Sequence, residues 1–467
     1  LVEQEKQANN KLINKEIIDV FLKVCAFSDG TQKYLINIAF AMNRSGIFFK
    51  SKTIGPRLRY VVSELFERRM GLTVTFCPGD MTLPEDGFSI GYGFSGGNMF
   101  FPTSGILEES GELNFSLIPS LNLNDSSLIH SNGNATKGDL PGMAFWLLSR
   151  YEEHQNPSFA DQHGRFPSDE NSLVKHCLHA IPIIERWASD LSLIMQAAGL
   201  QVQLLTPRRS FSFDLDNPTA FLYKSPVRQM LAAGRDLLNG NPGQIITRFR
   251  VLAGFRKDPY DNMVQIGDIV TKNNLAPDLF VWIGDYGPHD KGLSHTSEFF
   301  RKSVAKLRQH FSIGLHPSYA SFGNIERLKK EKSRLEELTG SEIKKNRFHF
   351  LRFRLQEGYR ILLALGFQED HSMGFSDRMG YRAGTGQPFY WYDLQAEEST
   401  ALLIFPFSMM DSTAHFHLKI SAEEFISVQK QQFGTAEFNG SFHAVFHNEH
   451  PSWSGWEQMI SRFIKES

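Results

Sequence analysis

Apolar positions along this chain recur with two periods, and the change from one to the other divides it. In the first part the helical period prevails. Residues 17–24 and 33–42 carry apolar side chains at helical spacing and predict two short helices. Leu58, Val61 and Leu65 mark an amphipathic helix over 55–72 that ends near Gly71. Short apolar runs at 73–77, 88–92 and 98–101 predict strands, and the Asn-, Ser- and Gly-rich stretch 121–138 predicts a loop. A helix is expected from Pro141 through Met143, Phe145, Trp146 and Leu147. A long amphipathic one is expected over 172–199 through Ile181, Ile184, Trp187, Leu191 and Ile194.

From residue 206 onward strands and helices alternate. Strands are predicted at 210–213, 278–283, 311–315, 347–351, 366–370, 402–405 and 442–447. Helices are predicted at 219–238, 260–272, 296–310 and 324–338, with another behind the Ser421–Glu424 capping box and a last one carrying Trp453 and Trp456. The run Leu279-Phe-Val-Trp-Ile283 has no polar member, as suits a parallel strand covered on both faces. The alternation predicts an α/β fold with a parallel sheet, open or closed into a barrel. The expected organisation is an unassigned segment 1–50, a smaller α+β N-terminal domain over 51–205, and the α/β domain over 206–467.

Composition narrows the classes. The chain has 467 residues, enough for two cores, and a net charge of −2 with Lys and Arg scattered, so no nucleic-acid footprint is present. Forty Phe against 12 Tyr and six Trp point to core packing. Cys25, Cys77 and Cys177 have neither zinc-site nor disulfide spacing, which suits a reducing compartment. No apolar run is long enough to span a membrane, and no signal-peptide pattern is visible, so a cytoplasmic location is expected. Arg150 and Arg165 beside Glu152, Glu153 and Asp161 form either a structural ion-pair cluster, the reading preferred here, or a substrate surface.

Candidate chemistry gathers at strand ends, where parallel α/β folds build their sites. Asp214 and Asp216 end the strand at 210–213, and residues two apart on a strand face the same way. Two converging carboxylates repel unless a cation or a shared proton relieves them, which suits one Asp as metal ligand and the other as base. The same Asp-x-Asp-Asn-Pro stretch also suits an Asx-turn and a helix cap. His316, His349, Asp370 and His447 occupy further strands or strand ends, and Asp and His are the types that hold divalent metals and move protons.

Phe213-Asp-Leu-Asp-Asn217 and Ile313-Gly-Leu-His-Pro-Ser-Tyr319 resemble motifs of the polysaccharide deacetylases (carbohydrate esterase family four). The resemblance continues through Arg347–Leu351, Asp370–Gly374, Gly380–Thr385 and Phe446–Asn448. Phe145–Glu153 and His163–Phe166 resemble a bacterial branch of that family with an uncharacterised N-terminal domain. The resemblance implies a distorted (β/α) barrel that uses a divalent ion, often zinc, to deacetylate N-acetylated or O-acetylated sugars. It implies Asp214 as catalytic base, Asp216 and His316 as metal ligands, His447 as general acid and Arg382 as the arginine that orients the base. Asp370 is counted with the catalytic group.

One position departs from the family. The second metal His is expected four residues after the first, and Ala320 stands there. His349 is the first candidate for the missing ligand and His295 the second. A backbone N–H near Tyr319 is expected to stabilise the oxyanion. Tyr319 and Trp391, with Phe389 and Tyr392, are candidates to stack on a sugar ring, and Asp411 is a candidate support for His447. Two other readings remain open on the sequence: a carbohydrate-binding protein that kept the fold without the ion, and a metal-dependent hydrolase of another C–N bond.

Overall fold

The computed structural model describes residues 45–79, 81–83, 87–94, 96–108, 138–434, 440–450 and 453–465. The helices expected at 17–24 and 33–42, and the loop at 121–137, lie outside the described residues. In the N-terminal part, β1 (Gly46–Ser51), β2 (Thr73–Pro78), β3 (Phe88–Tyr92) and β4 (Met99–Phe101) form a sheet of order β2-β1-β3-β4. Every pairing in it is parallel, where an α+β arrangement was expected. β1 falls in the segment that the sequence left unassigned. Between β1 and β2 runs α1 (Pro56–Val62), which Pro56 opens at the position where a missing N–H costs no bond. α2 (Leu140–Ser149), capped by the Asp139 carboxylate on the Gly142 N–H, and α3 (Tyr151–Gln155) follow. The single helix expected over 172–199 is broken. A turn leads to Pro182, which lacks an N–H to continue a helix, and α4 (Ile183–Ala197) starts there.

The larger sheet begins at β5 (Arg209–Leu215). It continues through β6 (Asp278–Trp282), β7 (Ser312–His316), β8 (Lys345–Asn346), β9 (Glu369–Asp370), β10 (Phe389–Asp393), β11 (Glu398–Ile404), β12 (Met409–Met410) and β13 (Phe442–His447). Its order is β10-β11-β9-β8-β7-β6-β5-β13-β12, parallel throughout except for the β10–β11 pair. Between its strands run α5 (Pro226–Leu238), α6 (Pro242–Leu252), α7 (Met263–Lys272), α8 (Glu298–Leu307), α9 (Ile325–Thr339), α10 (Leu355–Ala364) and α11 (Ala422–Gly434), and α12 (Trp456–Lys465) follows β13. α5 starts later than the pattern predicts. Residues 220–222 instead donate their N–H groups to the Asp258 carboxylate, and Pro226 opens the helix. No strand forms at the expected 347–351, and the strand in this part of the chain is the two-residue β8 before it. After Asn346 the chain leaves the sheet, the Phe348 N–H bonds the Ser372 hydroxyl, and 349–351 form a tight turn.

The sheet is open and not a closed barrel. Its β10 edge is covered by the N-terminal part, as an exposed edge must be to avoid stray pairing. The Tyr390 N–H donates to Glu64 Oε1 (3.1 Å), and the Tyr60 hydroxyl donates to the Tyr390 carbonyl (2.7 Å). Behind this edge, the buried Arg69 guanidinium joins Glu64 (2.8 Å) to Glu185 (3.4 Å). A single apolar cluster runs through both sheets, and Phe211, Phe213, Phe446 and Phe463 meet in it ring against ring.

Trp391 belongs to this core and not to a sugar-binding surface. It is 1% exposed and meets the Tyr359 ring edge-on, and Phe389 and Tyr392 beside it are also buried. Trp391→Ala is expected to cost about 3–5 kcal/mol of unfolding free energy. Denaturant titration measures this, and a variant as stable as the parent contradicts the core assignment.

Candidate active site

Four neighbouring strands deliver their carboxyl ends to one place. In register, His447 of β13 lies beside Asp214 of β5, and Trp282 of β6 lies beside His316 of β7. Asp214 and Asp216 do face the same way, and both reach His316. His316 Nε2 is 3.8 Å from Asp214 Oδ2 and 3.3 Å from Asp216 Oδ1. His349, on the turn after β8, brings its Nε2 to 3.7 Å from Asp216 Oδ1.

His316 and His447 each have a hydrogen-bond partner on the far side of the ring. His316 Nδ1 lies 2.6 Å from the Arg347 carbonyl. A carbonyl only accepts, so Nδ1 carries a proton, and Nε2 is the nitrogen that faces Asp216. His349 Nδ1 lies 3.4 Å from Asp290 Oδ1, without hydrogen-bond geometry. His447 Nδ1 bonds Asp411 Oδ1 at 2.6 Å, its N–H bonds Asp411 Oδ2, and its Nε2 stands 3.8 Å from Asp214 Oδ2. Burial works against charge on His447, but Asp411, with Asp214 and Asp216, outweighs it and pushes the imidazolium up to about 10.

The fit to a cation can be read from Asp216. Burial alone would raise its carboxyl, yet His349 and His316 hold it well below the usual carboxylate range. Its Oδ1 is buried without a hydrogen-bond partner. Buried carboxylate oxygens are rarely left so, and this one faces two imidazole nitrogens within a group whose ligand atoms all lie within 4.8 Å of one another. Asp216, His316 and His349 are thus of the residue types, and close enough together, to hold a divalent ion. A second such group, Asp411, His447 and His450, occurs among the described residues, but its His447–Asp411 contact is already a short hydrogen bond.

Other expected residues are placed elsewhere. His295 lies in the loop before α8, with Arg334, Asp285 and Lys330 as its charged neighbours, outside the ligand group. Arg382 does not orient Asp214. Its guanidinium is held by both Glu153 oxygens at 2.8 Å, and Arg150 is paired with the same glutamate. The charged cluster is therefore an ion-pair network. Asp370 is buried and accepts from Asn346 (2.8 Å) and from the hydroxyl (2.9 Å) and N–H of Ser372. Its place is behind the site, holding the 346–348 segment. The Tyr319 N–H expected at the oxyanion is bonded to Asp290 Oδ1 (2.8 Å). Tyr319 itself is half-buried near the His349 turn, with its ring 5.4 Å from that of Phe350. Ala320 is exposed, with its N–H on Asp290 Oδ2.

Arg347 is the arginine that meets Asp214. It is 1% exposed, and its Nη1 donates to Asp214 Oδ1 at 2.7 Å. The sequence carries a signal for it, since Arg347 and His349 stand two apart in one apolar run. Asp290 had no such signal, being one acidic residue in a polar loop. Glu449 also borders the site. It accepts from Asn217 (2.6 Å), and burial and the Asp216 charge push it up to about 7.

Residues 47–199 match a family of unknown function, DUF7033. No curated protein matches the chain. Among solved structures, a chain from Mycobacterium smegmatis assigned as a polysaccharide deacetylase is similar, with 16% identity, coverage of 56% of this chain and 83% of that one, and a TM-score of 0.35. Another from Pseudomonas aeruginosa PAO1, assigned likewise, has 14% identity, coverage of 56% and 85%, and a TM-score of 0.34. No helix among the described residues is long and apolar enough to cross a membrane.

Metal analysis of the purified protein is expected to find about one divalent ion per chain after zinc loading. Asp216→Asn, His316→Ala and His349→Ala are each expected to lose it, and His295→Ala to keep it. Retention in His349→Ala would remove that residue from the ligand set.

Proposed function

We propose that this protein is a metal-dependent hydrolase that removes acetyl groups from N-acetylated sugars. The observation that carries the reading is the convergence of Asp214, Asp216, His316, His349 and His447 at the carboxyl ends of adjacent strands. The motif resemblance of these segments to polysaccharide deacetylases supports the acetylated sugar as substrate. A divalent ion held by Asp216, His316 and His349, with zinc as the first candidate, would polarise the acetyl carbonyl and acidify a water.

The chain's own residues divide the proton work. Asp214 is the base. Its Oδ1 is committed to Arg347, so Oδ2 takes the proton from the attacking water. His447 is the acid. With Nδ1 committed to Asp411, it delivers a proton from Nε2 to the departing amine. The two working atoms, Asp214 Oδ2 and His447 Nε2, lie 3.8 Å apart, so base and acid flank one reacting centre. Trp456 Nε1 donates to Asp411 Oδ2 (3.3 Å), which fixes the carboxylate behind the acid.

Acetate release from N-acetylglucosamine oligomers tests the reading. Asp214→Asn and His447→Ala are each expected to lower kcat by about 10²–10⁴-fold while retaining the ion. A metal-loaded parent that releases no acetate from any acetylated sugar contradicts the proposed substrate class. The Asp411 carboxylate raises the His447 pKa, and activity needs His447 protonated. Asp411→Asn is therefore expected to move the alkaline limb of the kcat profile to lower pH. An unmoved limb removes His447 as the acid.

A further inference from the structure

The segment that presents His349 has an unusual backbone. Phe350 and Leu351, directly after it, both have positive φ (59° and 50°), a region that residues with side chains seldom occupy. Two such residues in succession persist only where the surroundings hold them. Part of that hold comes from far away in the chain. Arg165 Nη1 donates to the Phe350 carbonyl at 2.9 Å, and Arg352 Nε, on the other side of the turn, donates back to the His163 carbonyl at 2.8 Å. Arg352 Nη1 also bonds the Tyr319 carbonyl (2.8 Å), and its guanidinium lies over the Tyr319 and Phe322 rings at 4.0 and 4.2 Å.

The loop that supplies Arg165 is itself preformed. Asp161 Oδ1 accepts from the N–H groups of His163 (2.8 Å) and Arg165 (2.9 Å), and its Oδ2 accepts from Arg165 Nε (2.7 Å). The Asp161 N–H returns to the Arg165 carbonyl (2.8 Å). His163 Nδ1 reaches the Tyr319 hydroxyl (3.1 Å). A guanidinium on a carbonyl in each direction makes a reciprocal clasp between this loop and the turn.

We propose that loop 161–165 is a positioning element of the site: it clasps the 349–351 turn and so sets the direction in which His349 meets Asp216. The inference rests on the metal site proposed above and gives the region matching DUF7033 a task in it. Arg165 touches neither the ligand atoms nor the reacting centre and acts through the Phe350 carbonyl.

Two readings on the full chain test it: hydrogen exchange of amides 348–352 in metal-free protein, and the visible spectrum and affinity of added Co²⁺. Arg165→Ala is expected to speed exchange at 348–352, shift the Co²⁺ bands and weaken Co²⁺ binding by about 10–100-fold, the usual effect of removing an outer support. The global melting temperature should stay near the parent's. Asp161→Asn, which loosens the loop without touching the turn, is expected to move both readings in the same direction, and Arg165→Lys to restore them in part. Unchanged exchange together with an unchanged Co²⁺ spectrum in Arg165→Ala overturns the proposal. Faster exchange in a protein whose parent binds no Co²⁺ upholds the clasp and overturns the metal reading instead.

Discussion

The buried guanidinium of Arg347 is the constraint on which the site depends. A charge at that depth is tolerated only when paired and fully hydrogen-bonded. Here it meets Asp214 Oδ1 (2.7 Å), the Ser212 hydroxyl (2.7 Å) and the His371 carbonyl (2.9 Å), and it stacks on Phe280 at 4.3 Å. The same residue's carbonyl takes the His316 Nδ1 proton. One residue thus uses up one oxygen of Asp214 and one nitrogen of His316. What each has left, Oδ2 and Nε2, faces the other at 3.8 Å. Breaking a buried pair of this kind costs about 3–5 kcal/mol, so geometry and stability are tied together at this point.

Behind this centre stands a ring of carboxylates with supporting tasks. Asp411 holds His447, Asp290 faces His349, and Asp370 holds Asn346 and Ser372, whose hydroxyl takes the Phe348 N–H. Asp290 also accepts from the Tyr319 and Ala320 N–H groups and from the Trp282 indole. The loop after His316 is therefore organised around a carboxylate, with His349 on that carboxylate's other side. This gives a physical account of Ala320: its N–H serves the loop, and the imidazole that faces Asp216 beside His316 comes from the turn after β8.

The parallel α/β character was legible because buried parallel strands read as unbroken apolar runs, as at 279–283. That Asp214, Asp216, His316 and His447 stand at or just after strand ends was legible as well, since each follows a short, mainly apolar run. Other features depend on contacts between distant segments. Whether a sheet closes is decided at its edges, and the β10 edge is covered by Tyr60 and Glu64, some 330 residues away. Aromatic residues in β10 look alike whether they stack on a ligand or on Tyr359, so Trp391 could not be sorted by type. Arg382 was the arginine expected at Asp214, but Glu153, distant in sequence, holds it, and Arg347 takes that place. The apolar pattern at 347–351 reads as a strand but folds as a turn, and no glycine marks the left-handed pair Phe350–Leu351.

The most direct test of the account is the position of the ion in a crystal of the Co²⁺- or Zn²⁺-loaded protein, located by anomalous scattering. The account predicts one strong peak bounded by Asp216, His316 and His349, with His447 still on Asp411. A peak between Asp411, His447 and His450, or a protein that stays empty after loading, would contradict it.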